Sequence, residues 1–392
     1  MLAGRRLPPS SNRLAHNSPE DLRYCRAVEP SAQLIDGKYQ LVEIAGEGGM
    51  ATVYKAVQKG AAGFQRTVAI KHIKPEYRAL KNYIDMFIEE ARVGSELAHP
   101  NIVQVHDFVS QNQSYYLVME WVEGIDLGAF IRLNREAGTP ISWPFAVAMG
   151  IGTLRGLSAA HSRIGPDGAP APVIHRDVSP QNVLLGVNGV VKLSDFGLAK
   201  ARDRIASLTA PGTVKGKLSY LAPEVTFGRP NNAQSDLFGV GNVIWESLAG
   251  ERLFDGKTDV EIFKKIRACK IPPIAALRPD VPPGLSAVLD LALAPDPANR
   301  YTTAAEFANA LSQVMKQAVG VDPISALGTA VREARMRDRP SESNALTQAG
   351  LPMGSDAKTI PAVHTKHESV DVEFSAADIN TMDAIDLIPK KK

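Results

Sequence analysis

The order of the sequence patterns predicts an α+β fold in two unequal lobes, a small sheet-rich one followed by a larger helical one. Three observations carry this. From Tyr39 to Val122 short alternating apolar runs dominate, interrupted once by the longer helical pattern "ALKNYIDMFIEEARVGSELA". After Gly124 the alternation stops and helical periods take over in "SWPFAVAMGIGTLRGLSAAHS", "QSDLFGVGNVIWESLAG" and "AEFANALSQVMKQAV". With 44% hydrophobic residues in 392, the chain has the apolar material for a core of that size.

Residues 1–36 carry Pro8, Pro9, Ser10, Ser11 and Asn12 with little periodicity and are expected to form a flexible arm. Residues 37–122 make the sheet-rich lobe. In it "KYQLVEIA" and "VYKAV" flank the Gly-rich run "GEGGMATV" as a hairpin, a strand ends in "VAIK", and strand character resumes in "HPNIVQVHDFV" and "SYYLVMEWV". Residues 123–316 make the helical lobe. Beyond 316, "RMRDRPSESNALTQAGLPMGSDAKTIP" sustains no period, and residues 368–386 hold six acidic side chains and no basic one before the closing "KKK". Residues 317–392 are therefore expected to be a largely disordered tail, with solvated charge as the plain explanation and a regulatory partner as the functional one.

A formal charge of +2 gives no support to bulk polyanion binding, so no nucleic-acid partner is expected. Cys25 and Cys269 are too few and too isolated for a disulfide framework or a thiolate metal site, which favours a reducing, cytoplasmic setting. The basic start "AGRRLPPSSNRLAH" lacks the apolar stretch of a secretory signal. No window approaches the roughly 20 apolar residues of a membrane span, so no integral membrane segment is expected.

"GEGGMATV" alone is equally a flexible turn and a phosphate-covering hairpin. Three further segments decide between them. "VAIK" puts Lys71 at the end of a strand, with Glu90 following on the helical pattern, and "HRDVSPQN" at 175–182 precedes "DFG" at 195–197. With "APE" at 222–224 closing the series, these residues in this order resemble the protein kinase superfamily, and more closely its eukaryotic-like bacterial serine/threonine members, over residues 39–316. The resemblance implies a bilobal protein kinase-like fold. It also implies ATP-dependent phosphoryl transfer to serine and threonine hydroxyls of protein substrates, with ATP and Mg2+ at the site.

The chemistry needs a terminal phosphoryl group held in line with a hydroxyl, under enough positive charge to neutralise the transferring oxygens. Glycine at 46 and 48 lets backbone approach phosphate where a side chain would collide, with Glu47 between them; the family's third glycine is here Ala51. No "GK[ST]" follows, so this is a covering hairpin and not a P-loop. The resemblance implies that Lys71 contacts phosphates and is held by Glu90, that Asp177 orients and deprotonates the acceptor hydroxyl, and that Asn182 and Asp195 bind magnesium. It places adenine between Val53 and Ala69 above and Leu184 below, with backbone bonds from Glu120 and Val122, Met119 at the gate behind, and Asp126 at the ribose. Asp236 is expected to hold the backbone around His175 and Arg176, although an acidic residue at a helix start has a generic capping explanation. Arg300 is expected to pair with Glu224.

Two positions depart from the family pattern. The lysine expected two residues after Asp177 is Ser179, and Lys217 stands where a serine/threonine kinase normally has threonine. The reading is an exchange: Lys217 supplies the cation that Ser179 cannot. In the loop between "DFG" and "APE", the resemblance implies an activating phosphosite facing Arg176, and Thr213 stands at the spacing that related kinases use, with Thr209 and Ser207 as alternatives. The runner-up function is an ATP-binding pseudokinase or signalling scaffold, favoured by Ser179 and opposed by the complete set Lys71, Asp177, Asn182 and Asp195.

Overall fold

The computed structural model describes residues 34–196, 217–318 and 322–338. Its first lobe is a five-stranded antiparallel sheet in the order β1-β2-β3-β5-β4, built from β1 (Tyr39–Glu47), β2 (Ala51–Lys59), β3 (Gln65–Ile73), β4 (Val105–Gln111) and β5 (Ser114–Glu120). The central strand β3 is buried on both faces, so its alternation sorts two apolar layers instead of core from solvent. Val68 and Ile70 join Ala56, Val118 and Tyr39 on one side, whereas Ala69 packs with Leu117, Met119 and Phe87 on the other. Helix α1 (Lys81–Glu96) covers the second layer with Phe87, Glu90, Ala91 and Gly94, a single stripe at helical spacing. Gly94 lets the helix sit down on β4, because a Cβ there would fall 2.6 Å from Val105 Cγ2.

The second lobe begins with β6 (Gly124–Asp126) and α2 (Leu127–Glu136), followed by α3 (Trp143–His161), β7 (Val183–Gly186) and β8 (Val191–Leu193). Strands β6, β7 and β8 form a small antiparallel sheet in that order. Next come the one-turn helix α4 (Pro223–Thr226), α5 (Ala233–Ala249), α6 (Asp259–Ala268), α7 (Ile274–Leu277), α8 (Pro283–Ala292) and α9 (Ala304–Met315). Helix α5 is buried all round, from Ser235 to Leu248, because it is the lobe's axis. Its ends are set locally: Asn232 and Ser235 form a capping box, and Gly250 takes the left-handed conformation that stops the helix. Helix α3 crosses it closely enough that a Cβ on Gly150 would meet Ile244 Cδ1 at 2.5 Å. Among the described residues no helix is long and apolar enough to cross a membrane.

Both expected boundaries move outward. Ile35, assigned to the arm, is buried against the outer layer of the first sheet and bridges to Tyr39. The larger correction lies past 316, where Pro323–Asp338 forms a helix, α10, with Leu327, Val331 and Ala334 buried in the core of the helical lobe. Its buried face is narrow and built partly from Ala and Gly, with arginines and acids around it, so it reads as tail when scanned for strong apolar periods. The remaining tail, residues 339–392, lies outside the described residues, as does the arm up to 33.

Candidate active site

Strand β3 ends by placing Lys71 under the Gly-rich hairpin, in register with Val53 on β2 and Leu117 on β5. Its Nζ donates to Glu90 Oε1 on α1 at 2.6 Å and to Asp195 Oδ1 at 2.6 Å. One buried ammonium thus joins three elements far apart in sequence. Burial by itself would lower the Lys71 pKa, but the charges of Asp195 and Glu90 outweigh it and keep the ammonium protonated. Burial also dominates at Glu90 and pushes its carboxyl up to about 7 against the pull of Lys71. The two shifts describe one arrangement: a single cation shared by two carboxylates, strongly held itself, while burial and the neighbouring Asp195 charge keep Glu90 raised.

The loop carrying Asp177 is fixed from beneath by α5. Asp236 Oδ2 accepts from the backbone N–H of His175 at 2.8 Å, and its Oδ1 accepts from that of Arg176 at 2.8 Å. His161, at the end of α3, also meets Asp236 Oδ2 through its Nε2 at 2.8 Å. The helix's cap is the Asn232–Ser235 pair, so Asp236 is spent on the loop and the generic capping explanation fails. Arg176 is held at φ 66 and Asp195 at φ 54, left-handed conformations that non-glycine residues keep only when surroundings impose them. His175 lies in contact with Phe196, ring centroids 4.7 Å apart, and its Nε2 bonds the Ser194 carbonyl at 2.9 Å. Burial pushes the imidazole's pKa down. That tie between the two motif loops, and the clamp by His161, were not anticipated from sequence. The first was signalled only by His175 preceding Arg176, and the second by nothing local.

Asn182 donates from its side-chain Nδ2 to the Asp177 carbonyl at 2.7 Å, which orients the amide so that its oxygen faces away from that bond. Ser194 N donates to the Asn182 carbonyl at 2.9 Å, bringing Asn182 beside Asp195. An amide oxygen and a carboxylate are hard donors suited to Mg2+, which takes few protein ligands and completes its shell with phosphate and water.

Val53, Ala69, Leu184 and Val122 belong to one apolar cluster with Met119, which is 9% exposed behind them. The Glu120 N–H donates to the Gln104 carbonyl at 2.8 Å, so any bond from this residue to a base must use its carbonyl. The Glu120 carboxylate pairs with Lys192 at 2.9 Å, away from that role. Asp126 Oδ1 accepts from Ala129 N at 2.9 Å and caps α2. In the hairpin, Gly48 N donates to Ala51 O at 2.8 Å, closing the turn, and Glu47 lies opposite Thr52. Among the described residues nothing stands within 4 Å of a Cβ built on Gly46, which leaves that backbone unobstructed by them.

Ser179 is 1% exposed, and among the described residues its hydroxyl has no hydrogen-bond partner. The Lys217 side chain lies outside the described residues, as do Thr213, Thr209, Ser207 and Gly197. Away from the cleft, Arg300 makes a two-pronged pair with Glu224, Nη1 to Oε1 at 2.9 Å and Nη2 to Oε2 at 2.8 Å, as expected.

The protein kinase domain family model matches residues 39–316, most of the chain. The chain belongs to the protein kinase family. Similar kinases include the tyrosine-protein kinase MasK of Myxococcus xanthus, 38% identical over 281 residues, 72% of this chain and 43% of that one. The serine/threonine-protein kinase PknA of Mycobacterium tuberculosis is 32% identical over 332 residues, covering 83% and 69%. The probable serine/threonine-protein kinase PknB of Lactococcus lactis is 36% identical over 269 residues, covering 69% and 40%. This kinase chain therefore spans about two fifths of the length of the Myxococcus and Lactococcus relatives. The crystal structure of the M. tuberculosis PknI kinase domain superposes with a TM-score of 0.54 at 26% identity, covering 74% of this chain and all of that one. The resemblance to eukaryotic-like bacterial kinases is thereby borne out, and with it the α+β bilobal fold.

Proposed function

We propose that this kinase transfers the γ-phosphoryl group of ATP to serine and threonine hydroxyls of protein substrates and of its own loop between "DFG" and "APE". The observation that carries the proposal is Lys71 held between Glu90 and Asp195 at 2.6 Å while Asp236 fixes the adjacent catalytic loop. Adenine occupies the apolar slot of Val53, Ala69 and Leu184 with backbone bonds at Glu120 and Val122, and Asp126 faces the ribose. Gly46, Glu47 and Gly48 cover the phosphates. Lys71 turns from Asp195 to the phosphate oxygens. Asn182 and Asp195 hold Mg2+, which neutralises charge on the transferring group when bound. The acceptor oxygen bonds to the γ-phosphorus as the bond to ADP breaks, and the hydroxyl proton passes to Asp177. Ser179 is too short to reach the transferring group as the usual lysine would, and Lys217 supplies the second cation.

Arg176 receives the phosphate of the activated loop, with Thr213 as the site and Thr209 and Ser207 as alternatives; a phosphate brings close to two negative charges to it. A regulatory partner is the functional reading of the acidic tail beside plain solvated charge, and the setting is cytoplasmic. The test is incubation with Mg2+ and labelled ATP, followed by phosphoamino-acid analysis and mapping of the modified residues. Phosphoserine and phosphothreonine support the proposal. Phosphotyrosine alone contradicts the acceptor class, and ATP binding without transfer contradicts the catalytic reading. In the same assay Asp177→Asn is expected to lower turnover by about 10²-fold or more while leaving the KM for ATP within about threefold. A defect confined to ATP affinity contradicts the role given to Asp177.

A further inference from the structure

Helix α10 lies outside the matched kinase domain, yet it packs beneath the nucleotide floor. Three observations place it there. Its buried residues Leu327, Val331 and Ala334 enter the core of the helical lobe, and the helix contacts α2, α3, β6 and β7. Its seat allows no spacer: a Cβ on Gly328 would lie 2.7 Å from Gly189 N and 2.8 Å from Val187 O, and one on Gly189 would lie 1.9 Å from Ile324 O. Two arginines one turn apart then grip the connector between the lobes and the residue just past β7 that is bonded to it. Arg335 pairs with the Glu123 carboxylate, and Arg332 donates to the Val187 carbonyl. Glu123 and Val187 are themselves joined, Val187 N donating to Glu123 O at 2.8 Å.

Glu123 passes the constraint on. Its Oε2 accepts from Trp121 Nε1 at 2.7 Å, and the Trp121 ring lies under Lys55 Nζ of β2 at 5.2 Å. Trp121 and Glu123 flank Val122, the connector residue assigned to the adenine edge. At the far end of the helix, Asp338 pairs at 3.0 Å with Arg132 of α2, the helix that Asp126 caps. We infer that α10 is a positioning element of the nucleotide site, acting through Arg335, Glu123 and Trp121 on the connector that holds adenine. The Trp121 hydrogen bond, with Arg335, keeps the Glu123 carboxyl below its ordinary range despite partial burial, so it stays charged at neutral pH. None of these side chains touches the reacting atoms. Their effect belongs in ATP affinity and not in the chemical step.

The inference rests on the kinase reading, and the experiment separates the two. In the full chain, Arg335→Ala, Glu123→Gln and the double variant are compared with Arg337→Ala, which removes an exposed charge from the same helix. Each single variant is expected to raise the KM for ATP about threefold to fivefold with kcat within about twofold, and the double to be no worse than the worse single. Arg337→Ala should match wild type, and Arg335→Lys should fall between wild type and Arg335→Ala. An unchanged KM in both singles, a change in kcat alone, or a double variant at the product of the singles overturns the inference while leaving the kinase assignment intact. A titration showing that wild-type protein binds no Mg·ATP overturns the assignment and the inference together.

Discussion

Two buried carboxylate–cation pairs, one in each lobe, are built from the same chemistry and held in opposite ways. Glu224 and Arg300 are saturated: both carboxylate oxygens meet the guanidinium, Ser235 donates to Oε1 at 2.8 Å, and Arg300 also donates to the carbonyls of Ala294, Gln234 and Pro295. Burial pushes Glu224 up, but the hydrogen bonds and charge of Arg300 outweigh it and hold the carboxyl below its ordinary range. Lys71 instead divides one ammonium between two carboxylates on different elements, and Glu90 is left near 7. The difference teaches what each pair is for. A planar fork matched oxygen for oxygen fixes a structure, whereas a point charge shared by two acceptors can change one of them for a phosphate.

The comparison breaks most visibly at Arg300. Arg300→Ala strands the Glu224 carboxylate in the core, and losing one partner of a buried pair costs about 3–5 kcal/mol. For a domain of this size that lowers the melting temperature by about 6 °C or more, measurable by calorimetry. A change of less than about 2 °C would show that the pair is not the lock described.

Crowding the seat of α1 is the next largest effect. Gly94→Val puts carbon where Val105 Cγ2 already stands and is expected to cost about 1–3 kcal/mol. Because the displaced helix carries Glu90, turnover should fall along with stability. Gly150→Val crowds Ile244 in the helical lobe instead, and should lower stability with much less loss of turnover per degree of melting temperature. Equal losses from the two variants would erase the distinction between the lobes.

The smallest effect sharpens the comparison through pH. Glu90 has its carboxyl raised from an ordinary 4.5 to about 7, so its contribution to stability is full below 4.5 and is lost as pH rises through 7. Glu224, held low, behaves oppositely: its contribution is present above 4.5 and is lost as pH falls through its depressed value. Without nucleotide, the melting temperature of Glu90→Gln relative to wild type should therefore become more favourable from about pH 5 to about pH 8. A flat or reversed difference contradicts the shared-cation description.

Much of this site was legible in the sequence because it is built from short runs whose chemistry is local. Lys71, "HRDVSPQN" and "DFG" carry donor types and spacing with them, and the long helices announce themselves by period. What could not be read is what folding alone brings together. The hold of Asp236 on the loop at His175 and Arg176 is expected, but its contact with His161 is announced by nothing near either residue. Helix α10 hides its apolar face in Leu327, Val331 and Ala334, and the role inferred for it rests on Arg335 meeting Glu123, a residue far away in sequence. The Glu120 N–H is taken by the carbonyl of Gln104, just before β4, a detail that alternation cannot supply.

The most direct test of the shared cation is the turnover of Lys71→Met, measured with Mg2+ and ATP beside its melting temperature. Removing the ammonium leaves Glu90 able to take up a proton, so the fold should survive with a melting temperature within about 3 °C of wild type. Phosphoryl transfer should fall by about 10²- to 10³-fold, the loss typical of a group that stabilises transition-state charge. Near-normal turnover, or a collapse in stability as large as that of Arg300→Ala, would contradict the account.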